Sequence, residues 1–190
     1  CIEHNVTKLI LTPSMAVYGV GNPPFKEDQR PDPADPYGIA KYAIEMDLKL
    51  ANEQFGLQYT IARPHNVVGI YQNIWDKYRN VIGIWTRRIL NGESICIFGD
   101  GTQKRAFSDI KFYMEPFEKL MTGFDGEVFN IGADHEYELN TVAEIIQKVG
   151  AEFGHNSPIE QIEKRHEVKD AFCDHSKAKS MLGFSDDTNI

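Results

Sequence analysis

Two side chains near the start of a predicted helix have the chemistry to move a proton together. Tyr37 and Lys41 are four residues apart, so a helix places both on one face. A free phenol has a pKa of about 10, which is too high for a base near neutral pH. A nearby ammonium favours the phenolate and lowers that pKa. The pair could therefore act as an acid–base catalyst, although Tyr and Lys at this spacing also occur by chance on helix surfaces.

A hydroxyl that could work with this pair precedes it in the chain. Ser14 stands at the predicted carboxyl end of a short apolar strand. Open α/β sheets bind their ligands at the carboxyl ends of their strands. Ser14 is therefore a candidate to contact the group on which Tyr37 acts. The alternative role for this serine is a helix cap or a turn at the strand end.

The elements that must position these residues alternate between strands and helices. Apolar residues recur at Ile39, Ala43, Met46 and Leu50 and predict a helix that ends before Gly56. Strands are predicted over residues 6–11, 57–62, 94–98 and 127–131 and near residue 159, and helices over 37–55, 81–90, 112–121, 141–153 and 176–182. The last helix but one is predicted to open with a capping box from Thr141 to Glu144. This order predicts an α/β protein with a largely parallel sheet.

Composition excludes several classes of function. The chain of 190 residues has a formal net charge of -8 and is 42% hydrophobic, which argues against a nucleic-acid-binding protein. No apolar run is long enough to span a membrane. Three cysteines without a CxxC pair or a His/Cys cluster predict neither a metal site nor disulfides, so we expect a cytoplasmic protein.

Several motifs in register resemble one family. The run Ser14–Gly19, an acidic Pro-rich loop and the run Pro36–Lys41 resemble the extended short-chain dehydrogenase/reductase family, and within it the UDP-glucose 4-epimerases. The resemblance implies an incomplete Rossmann-like, doubly wound parallel sheet and a smaller α/β substrate-binding lobe. Residues 1–69 would then belong to the NAD-binding domain and residues 70–190 mainly to the lobe, with a segment near 105–132 returning to the Rossmann domain.

The resemblance also implies roles for individual residues. Ser14 would bond the reacting sugar oxygen, Tyr37 would move its proton, and Lys41 would hold the nicotinamide ribose of NAD. Thr12 and Pro64 would lie beside the cofactor. The sugar nucleotide would contact Asn66, Asn80, Val81, Cys96, Phe98, Arg105, Phe107, Arg165 and Glu167. Core packing is an equal alternative for Phe98, and a solvated charge cluster is nearly as good an interpretation of Arg165 and Glu167.

The implied activity is NAD-dependent epimerisation at C4 of a UDP-sugar of the UDP-glucose/UDP-galactose type, through a transient 4-keto sugar. The 4,6-dehydratases and decarboxylases of the family need an acid just after the serine, where Met15 and Ala16 stand here. A sugar-nucleotide reductase and an inactive sugar-nucleotide-binding fragment remain open alternatives. The resemblance further implies that the full-length parent is a homodimer that pairs through two helices of each subunit, of which the helix over 37–55 would be one and the other is missing here.

One family motif is absent from this sequence. The glycine-rich fingerprint G-x-x-G-x-x-G, which cradles the dinucleotide pyrophosphate, does not occur in the chain. In the family it precedes the serine. We therefore expect the chain to be the C-terminal half to two-thirds of an epimerase and to be inactive alone.

Overall fold

The computed structural model describes residues 1–76, 80–164 and 168–190, and in them strands alternate with helices. The strands are β1 (Lys8–Leu11), β2 (Gln58–Pro64), β3 (Val67–Val68), β4 (Ile95–Phe98), β5 (Lys104–Ala106), β6 (Ser108–Asp109), β7 (Val128–Ile131), β8 (Glu136–Glu138) and β9 (Ile159–Ile162). The α-helices are α1 (Pro36–Phe55), α2 (Val81–Leu90), α3 (Met114–Thr122), α4 (Leu139–Glu152) and α5 (Ser176–Leu182). The predicted α/β class is confirmed.

A parallel sheet with the strand order β1-β2-β7 forms the centre of the first region. Successive residues of β2 point to opposite faces, as the pleat of a strand requires. Ile61 packs with Leu48 of α1 on one face. Ala62 packs with Leu120 of α3 and Leu182 of α5 on the other face. The sheet is therefore covered by helices on both faces, which is how parallel sheets bury their apolar strands.

Helix α1 carries the candidate acid–base pair and starts at a well-defined cap. The Asp35 carboxylate accepts a hydrogen bond from the Gly38 N–H at 2.7 Å, and Pro36 occupies the first turn, where it needs no donor. Gly56 ends the helix in a left-handed conformation with φ 71°, which glycine adopts without strain.

The face of α1 that touches the sheet differs from the one that apolar periodicity suggests. The apolar residues Ile39, Met46 and Leu50 are each about half exposed, whereas the charged residue Glu45 is fully buried beside Leu48. Glu45 can be buried because the Arg63 guanidinium forms an ion pair with it. The apolar stripe of this helix is left facing outward.

A second region is built around the parallel pair β4 and β9, with α2 and α4 packed on it. Ile95 and Ile97 of β4 point into the core with Trp85 of α2 and Val142 of α4. Shorter pairs join the regions: β3 with β6 in parallel and β5 with β8 antiparallel. No helix in the described ranges is both long and apolar enough to cross a membrane.

The predicted capping box at Thr141 is wrong. Helix α4 begins two residues earlier, at Leu139, and no side chain caps it. The Leu139 N–H donates to the Gln103 carbonyl and the Asn140 N–H to the Gly101 carbonyl, each at 3.1 Å. Backbone carbonyls from a distant loop thus satisfy the first donors of this helix, and a hydroxyl cap is not needed.

Strand β7 lies in the segment 105–132 and pairs with β2, so this part of the chain adds a strand to the sheet of residues 1–69. The division of the chain into a Rossmann part and a lobe stays a prediction.

Candidate functional site

The candidate site lies at one edge of the parallel sheet. Thr12 and Ser14 follow the carboxyl end of β1, and Pro64 is the last residue of β2, with Asn66 just beyond it. Because β1 and β2 are parallel, these ends meet at the same edge. Thr12 is exposed, and Ser14, Pro64 and Asn66 are half-buried, so a ligand can reach this edge.

Close packing brings the start of α1 to Ser14. A Cβ placed on Gly38 would lie 2.6 Å from the carbonyl oxygen of Ala16, so only glycine permits this approach. Gly38 follows Tyr37 directly, and Ala16 lies two residues after Ser14. The Ser14 Oγ accepts a hydrogen bond from the Ala16 N–H at 3.1 Å. Its own hydroxyl proton stays available for a ligand.

The candidate acid–base pair is open to a ligand. The Lys41 Nζ lies 5.5 Å from the centroid of the Tyr37 ring, and Tyr37 is 56% exposed. Within the described ranges, neither the Tyr37 hydroxyl nor the Lys41 ammonium has a hydrogen-bond partner. A phenol and an ammonium at a sheet edge are suitable donors for the ribose hydroxyls of NAD and for a sugar oxygen.

Asn66 is held in an unusual backbone conformation. Its φ is 42°, a left-handed value that asparagine tolerates better than most residues. Its Nδ2 donates to the Ala106 carbonyl at 2.9 Å, and its carbonyl oxygen accepts from the Ser108 N–H at 3.3 Å. These bonds attach the end of β2 to the segment of β5 and β6.

Asn80 and Val81 form the start of α2. The Asn80 Oδ1 caps this helix by accepting from the Gly83 N–H at 3.1 Å, and its Nδ2 donates to the Val67 carbonyl at 2.7 Å. Val81 is half-buried against the core of the second region. The capping role of Asn80 is thus visible in the structure, and its contact with a nucleotide stays a prediction.

Three predicted substrate residues belong to the second region. Cys96 and Phe98 are both half-buried and share the face of β4 that points away from the core residues Ile95 and Ile97. Phe107 is fully buried in that core. Cys96 and Phe98 therefore lie where a ligand could touch them, whereas Phe107 could act only through packing.

The Arg105 guanidinium bonds backbone carbonyls. Its Nη1 donates to Lys104 at 2.7 Å and to Lys169 at 2.6 Å, and its Nη2 donates to Val168 at 2.7 Å. A diphosphate at this guanidinium would have to share or replace these contacts. Arg165 and Glu167 lie outside the described residues.

A buried polar network that the sequence did not reveal connects the elements of the site. The Arg63 Nε and Nη2 donate to the two carboxylate oxygens of Glu45 at 2.9 and 2.7 Å. The Arg63 Nη1 donates to the Tyr18 hydroxyl, which in turn donates to the Asn130 Oδ1, each at 2.7 Å. Glu45 follows Lys41 by one helical turn. The network thus joins α1, β2, β7 and the 3-10 helix Met15–Tyr18 that follows Ser14.

Charge explains why this network is stable inside the protein. Burial by itself would lower the pKa of Arg63, but the hydrogen bonds and the charges of Glu45 and Tyr18 outweigh it and raise that pKa. Burial raises the pKa of Tyr18, and Arg63 opposes this only in part. The guanidinium is therefore charged and the Tyr18 phenol neutral at any physiological pH. Only the residue types, a Glu on the helix and an Arg at the strand end, could have suggested the pair.

In the described part of the chain, no group of three His, Cys, Asp or Glu side chains is arranged to hold a metal ion.

Comparisons with known proteins find similar sequences and similar folds. A sequence model of the NAD dependent epimerase/dehydratase family matches residues 1–132. A putative UDP-glucose 4-epimerase of Methanocaldococcus jannaschii is 32% identical over 185 residues, which are 94% of this chain and 58% of that protein. The structure of UDP-glucose 4-epimerase from Thermotoga maritima with UDP-glucose has a TM-score of 0.87 at 31% identity, over 99% of this chain and 61% of that one.

UDP-glucuronic acid 4-epimerase from Bacillus cereus, in complex with UDP-glucuronic acid and NAD, has a TM-score of 0.85 at 25% identity, over 96% of this chain and 57% of that one. The chain therefore spans about three-fifths of the length of these proteins. The Rossmann-like fold class and the predicted cofactor, NAD, are confirmed by these matches.

Proposed function

This chain belongs to the NAD dependent epimerase/dehydratase family, and on that premise we propose that it carries the acid–base and sugar-nucleotide-binding residues of a UDP-sugar 4-epimerase. The observation that carries the proposal is the placement of the Ser14 hydroxyl beside the start of α1, where Tyr37 and Lys41 have free donors. The relatives with UDP-glucose or UDP-glucuronic acid support the UDP-sugar class.

In this proposal the residues at the carboxyl ends of β1 and β2 and at the start of α1 have distinct roles. Tyr37 takes the proton of the C4 hydroxyl and later returns it, and Ser14 bonds the same oxygen so that the proton is aligned for transfer. Lys41 holds the ribose next to the nicotinamide. NAD, which Lys41, Thr12 and Pro64 would border, would supply the hydride acceptor and donor for C4 of the sugar.

The other end of the substrate would lie on the second region. The bond to the Ala106 carbonyl uses one proton of the Asn66 Nδ2, and the second proton of this amide can be donated to a diphosphate oxygen. Cys96 and Phe98 offer a half-buried face for a flat base. Arg105 and, outside the described residues, Arg165 and Glu167 supply the charges that a diphosphate and ribose hydroxyls need.

The family also contains dehydratases, and Met15 and Ala16 argue against that chemistry here. A dehydratase must protonate a leaving hydroxyl, and neither side chain can donate or accept a proton. Met15 is buried in a core cluster. Epimerisation needs no further acid beyond Tyr37, so it is the activity that the residues fit best. A reductase of the same family and a binding fragment without turnover are the alternatives.

We propose that turnover needs residues beyond these 190, because the chain spans only about three-fifths of its relatives. The test adds NAD and UDP-galactose to the chain, and to a form extended at its N-terminal side to the length of those relatives. Anomeric proton signals are followed by NMR.

We expect UDP-glucose signals with the extended form, loss of turnover with Tyr37→Phe, and near-normal turnover with Tyr42→Phe. The Tyr42→Phe control also removes a tyrosine hydroxyl from α1, but at a position without an assigned role. Equal turnover by wild type and Tyr37→Phe would contradict the assigned role. Turnover by the unextended chain would show that the extra residues are dispensable.

We also propose that the protein is a homodimer that pairs through α1. The outward stripe of Ile39, Met46 and Leu50 supports this, since apolar side chains on one exposed helix face mark an interaction surface. Light scattering after size exclusion should give twice the chain mass. Met46→Lys should shift the protein to the monomer, whereas Met121→Lys, which changes an exposed methionine of α3, should not. A monomeric wild type would refute this pairing.

A further inference from the structure

A line of hydrogen bonds runs from the surface to the end of β2. The Asp134 Oδ1 lies 2.9 Å from the His175 Nδ1, and the His175 Nε2 lies 2.9 Å from the His65 Nε2. The two imidazole planes differ by 9° and their centroids are 5.0 Å apart, so the rings meet edge to edge rather than face to face. Asp134 is about half exposed, whereas His65 and His175 are both buried.

The chemistry of the three groups fixes where the protons are. The Asp134 carboxylate can only accept, so the His175 Nδ1 must carry a proton. The His175 Nε2 of the neutral ring then accepts the proton of the His65 Nε2. The His65 Nδ1 is left unprotonated, and this buried atom has no hydrogen-bond partner in the described part of the chain. Burial lowers the pKa of both imidazoles, which keeps them neutral.

The inner end of this line is part of the candidate site. His65 stands between Pro64, at the end of β2, and Asn66, whose backbone is left-handed. Hydrogen bonds to Ala106 and Ser108 hold Asn66, and the contact with His175 holds the neighbouring residue His65. A Cβ on Gly132 would overlap the His65 ring, so the glycine makes room for the imidazole.

We propose that Asp134, His175 and His65 form a positioning relay that fixes the segment Pro64–Asn66. Asp134 sets the tautomer of His175, and His175 sets the tautomer and the ring orientation of His65. The ring orientation of His65 holds Asn66 in its left-handed conformation. If the proposed function is correct, the relay thereby contributes to the affinity for the diphosphate of the UDP-sugar.

The two oxygens of Asp134 allow this role to be separated from a general stabilising role. Oδ1 faces His175, whereas Oδ2 contacts the Lys179 ammonium of α5. Asp134→Ala removes both contacts. Asp134→Asn keeps an acceptor oxygen for His175, and Lys179→Ala removes the ion pair and leaves the relay intact. Because these side chains are about half exposed, the variants should fold.

The first measurement is the NMR spectrum of the imidazole nitrogens in the 15N-labelled chain. Wild type should show neutral rings, with the proton on Nδ1 of His175 and on Nε2 of His65. Asp134→Ala should mix the two tautomers of His65 and speed the exchange of the Asn66 side-chain amide protons by roughly tenfold or more. Asp134→Asn and Lys179→Ala should resemble wild type. Unchanged His65 signals and Asn66 exchange in folded Asp134→Ala would overturn the relay.

The second measurement is calorimetric titration with UDP. Asp134→Ala should bind UDP roughly threefold or more weakly than wild type, and Lys179→Ala should bind it as wild type does. Equal affinity of Asp134→Ala and wild type would overturn the link to ligand binding. If wild type itself does not bind UDP, the proposed function fails, and the nitrogen spectra still decide whether the relay exists.

Discussion

Two buried polar side chains at the end of the same strand are accommodated in opposite ways. Arg63 is charged and forms a two-point ion pair with Glu45 of α1. His65, two residues later, is neutral and meets another imidazole, His175. The first arrangement joins β2 to the helix with the candidate acid–base pair, and the second joins the ligand-facing segment to the start of α5.

The difference follows from the chemistry of the two cations. A guanidinium does not lose its proton in a protein, so a buried Arg63 requires an anion beside it. An imidazole can lose its proton, and burial together with the neighbouring His175 lowers the pKa of His65 to about 3. The Ala106 backbone and the Asp134 charge oppose this lowering without reversing it.

The end of β2 therefore combines a buried ion pair that stabilises the fold with a neutral histidine pair whose protonation depends on pH. Loss of one partner of the Arg63 pair leaves an uncompensated charge inside the protein. Loss of one partner in the histidine line leaves only an unpaired neutral atom. We therefore expect the charged network to dominate stability and the neutral line to respond to pH.

The largest effect should come from Glu45→Ala, which leaves the buried Arg63 guanidinium without an anion. We expect the free energy of unfolding to fall by about 3–5 kcal/mol. Urea denaturation followed by circular dichroism measures this quantity. Glu53→Ala is the matched control, because it removes the same side chain from an exposed position of α1 and should change stability by about 0.5 kcal/mol or less. A similar loss of unfolding free energy in Glu45→Ala and Glu53→Ala would show that the ion pair of Glu45 with Arg63 does not stabilise the fold.

A pH-dependent effect should come from His65. Its pKa is about 3 in the folded protein and 6.5 as the ordinary value, so the unfolded chain binds a proton that the folded chain does not. The contribution of His65 to stability is complete above pH 6.5 and is lost as the pH falls toward 3, by up to about 1.4 kcal/mol for each pH unit.

His65→Gln should reduce this slope by about one proton, which urea midpoints at pH 7, 6 and 5 would reveal. Charged groups near the line include Asp134, Asp174, Lys179 and Glu27, and they are the same in both proteins. His4→Gln changes an exposed histidine and should keep the wild-type slope. A His65→Gln slope equal to that of wild type would mean that His65 is not held neutral.

A smaller effect should come from Tyr18→Phe. The variant keeps the ring that stacks on Phe25 but removes the hydroxyl between Arg63 and Asn130. Each of these residues then loses one partner, and we expect a loss of about 1–2 kcal/mol in the free energy of unfolding. Tyr42→Phe, on a partly buried tyrosine of α1, should cost less. A larger loss of stability in Tyr42→Phe than in Tyr18→Phe, measured by urea denaturation, would contradict a stabilising role of the Tyr18 hydroxyl.

Local sequence patterns predicted most of the elements. Helices α2 and α5 have the bounds that periodicity and capping residues indicate, and the strands of the central sheet begin within two residues of their predicted positions. Strands β3, β5, β6 and β8 have two or three residues each, which is too short for an alternating pattern to emerge. The start of α4 was missed because its first donors bond a loop that is remote in sequence.

Side-chain environments were harder to predict than elements. The sequence could single out Tyr37, Lys41 and Ser14 as candidates, because their spacing and order carry information, and their roles stay predictions. It could not show that Glu45 is buried while Ile39 is exposed, since that depends on which face of α1 meets Arg63. Nor could it pair His65 with His175, because the contact spans 110 residues and forms only in the folded protein.

The central claim is that the hydride of C4 leaves and returns to the same carbon. UDP-galactose with deuterium at C4 tests this most directly, with the form of the protein that turns over in the presence of NAD. We predict UDP-glucose that keeps the deuterium on C4, as seen by NMR and mass spectrometry. A 4-keto-6-deoxy sugar with the deuterium on C6 would contradict the account and show that the protein is a dehydratase.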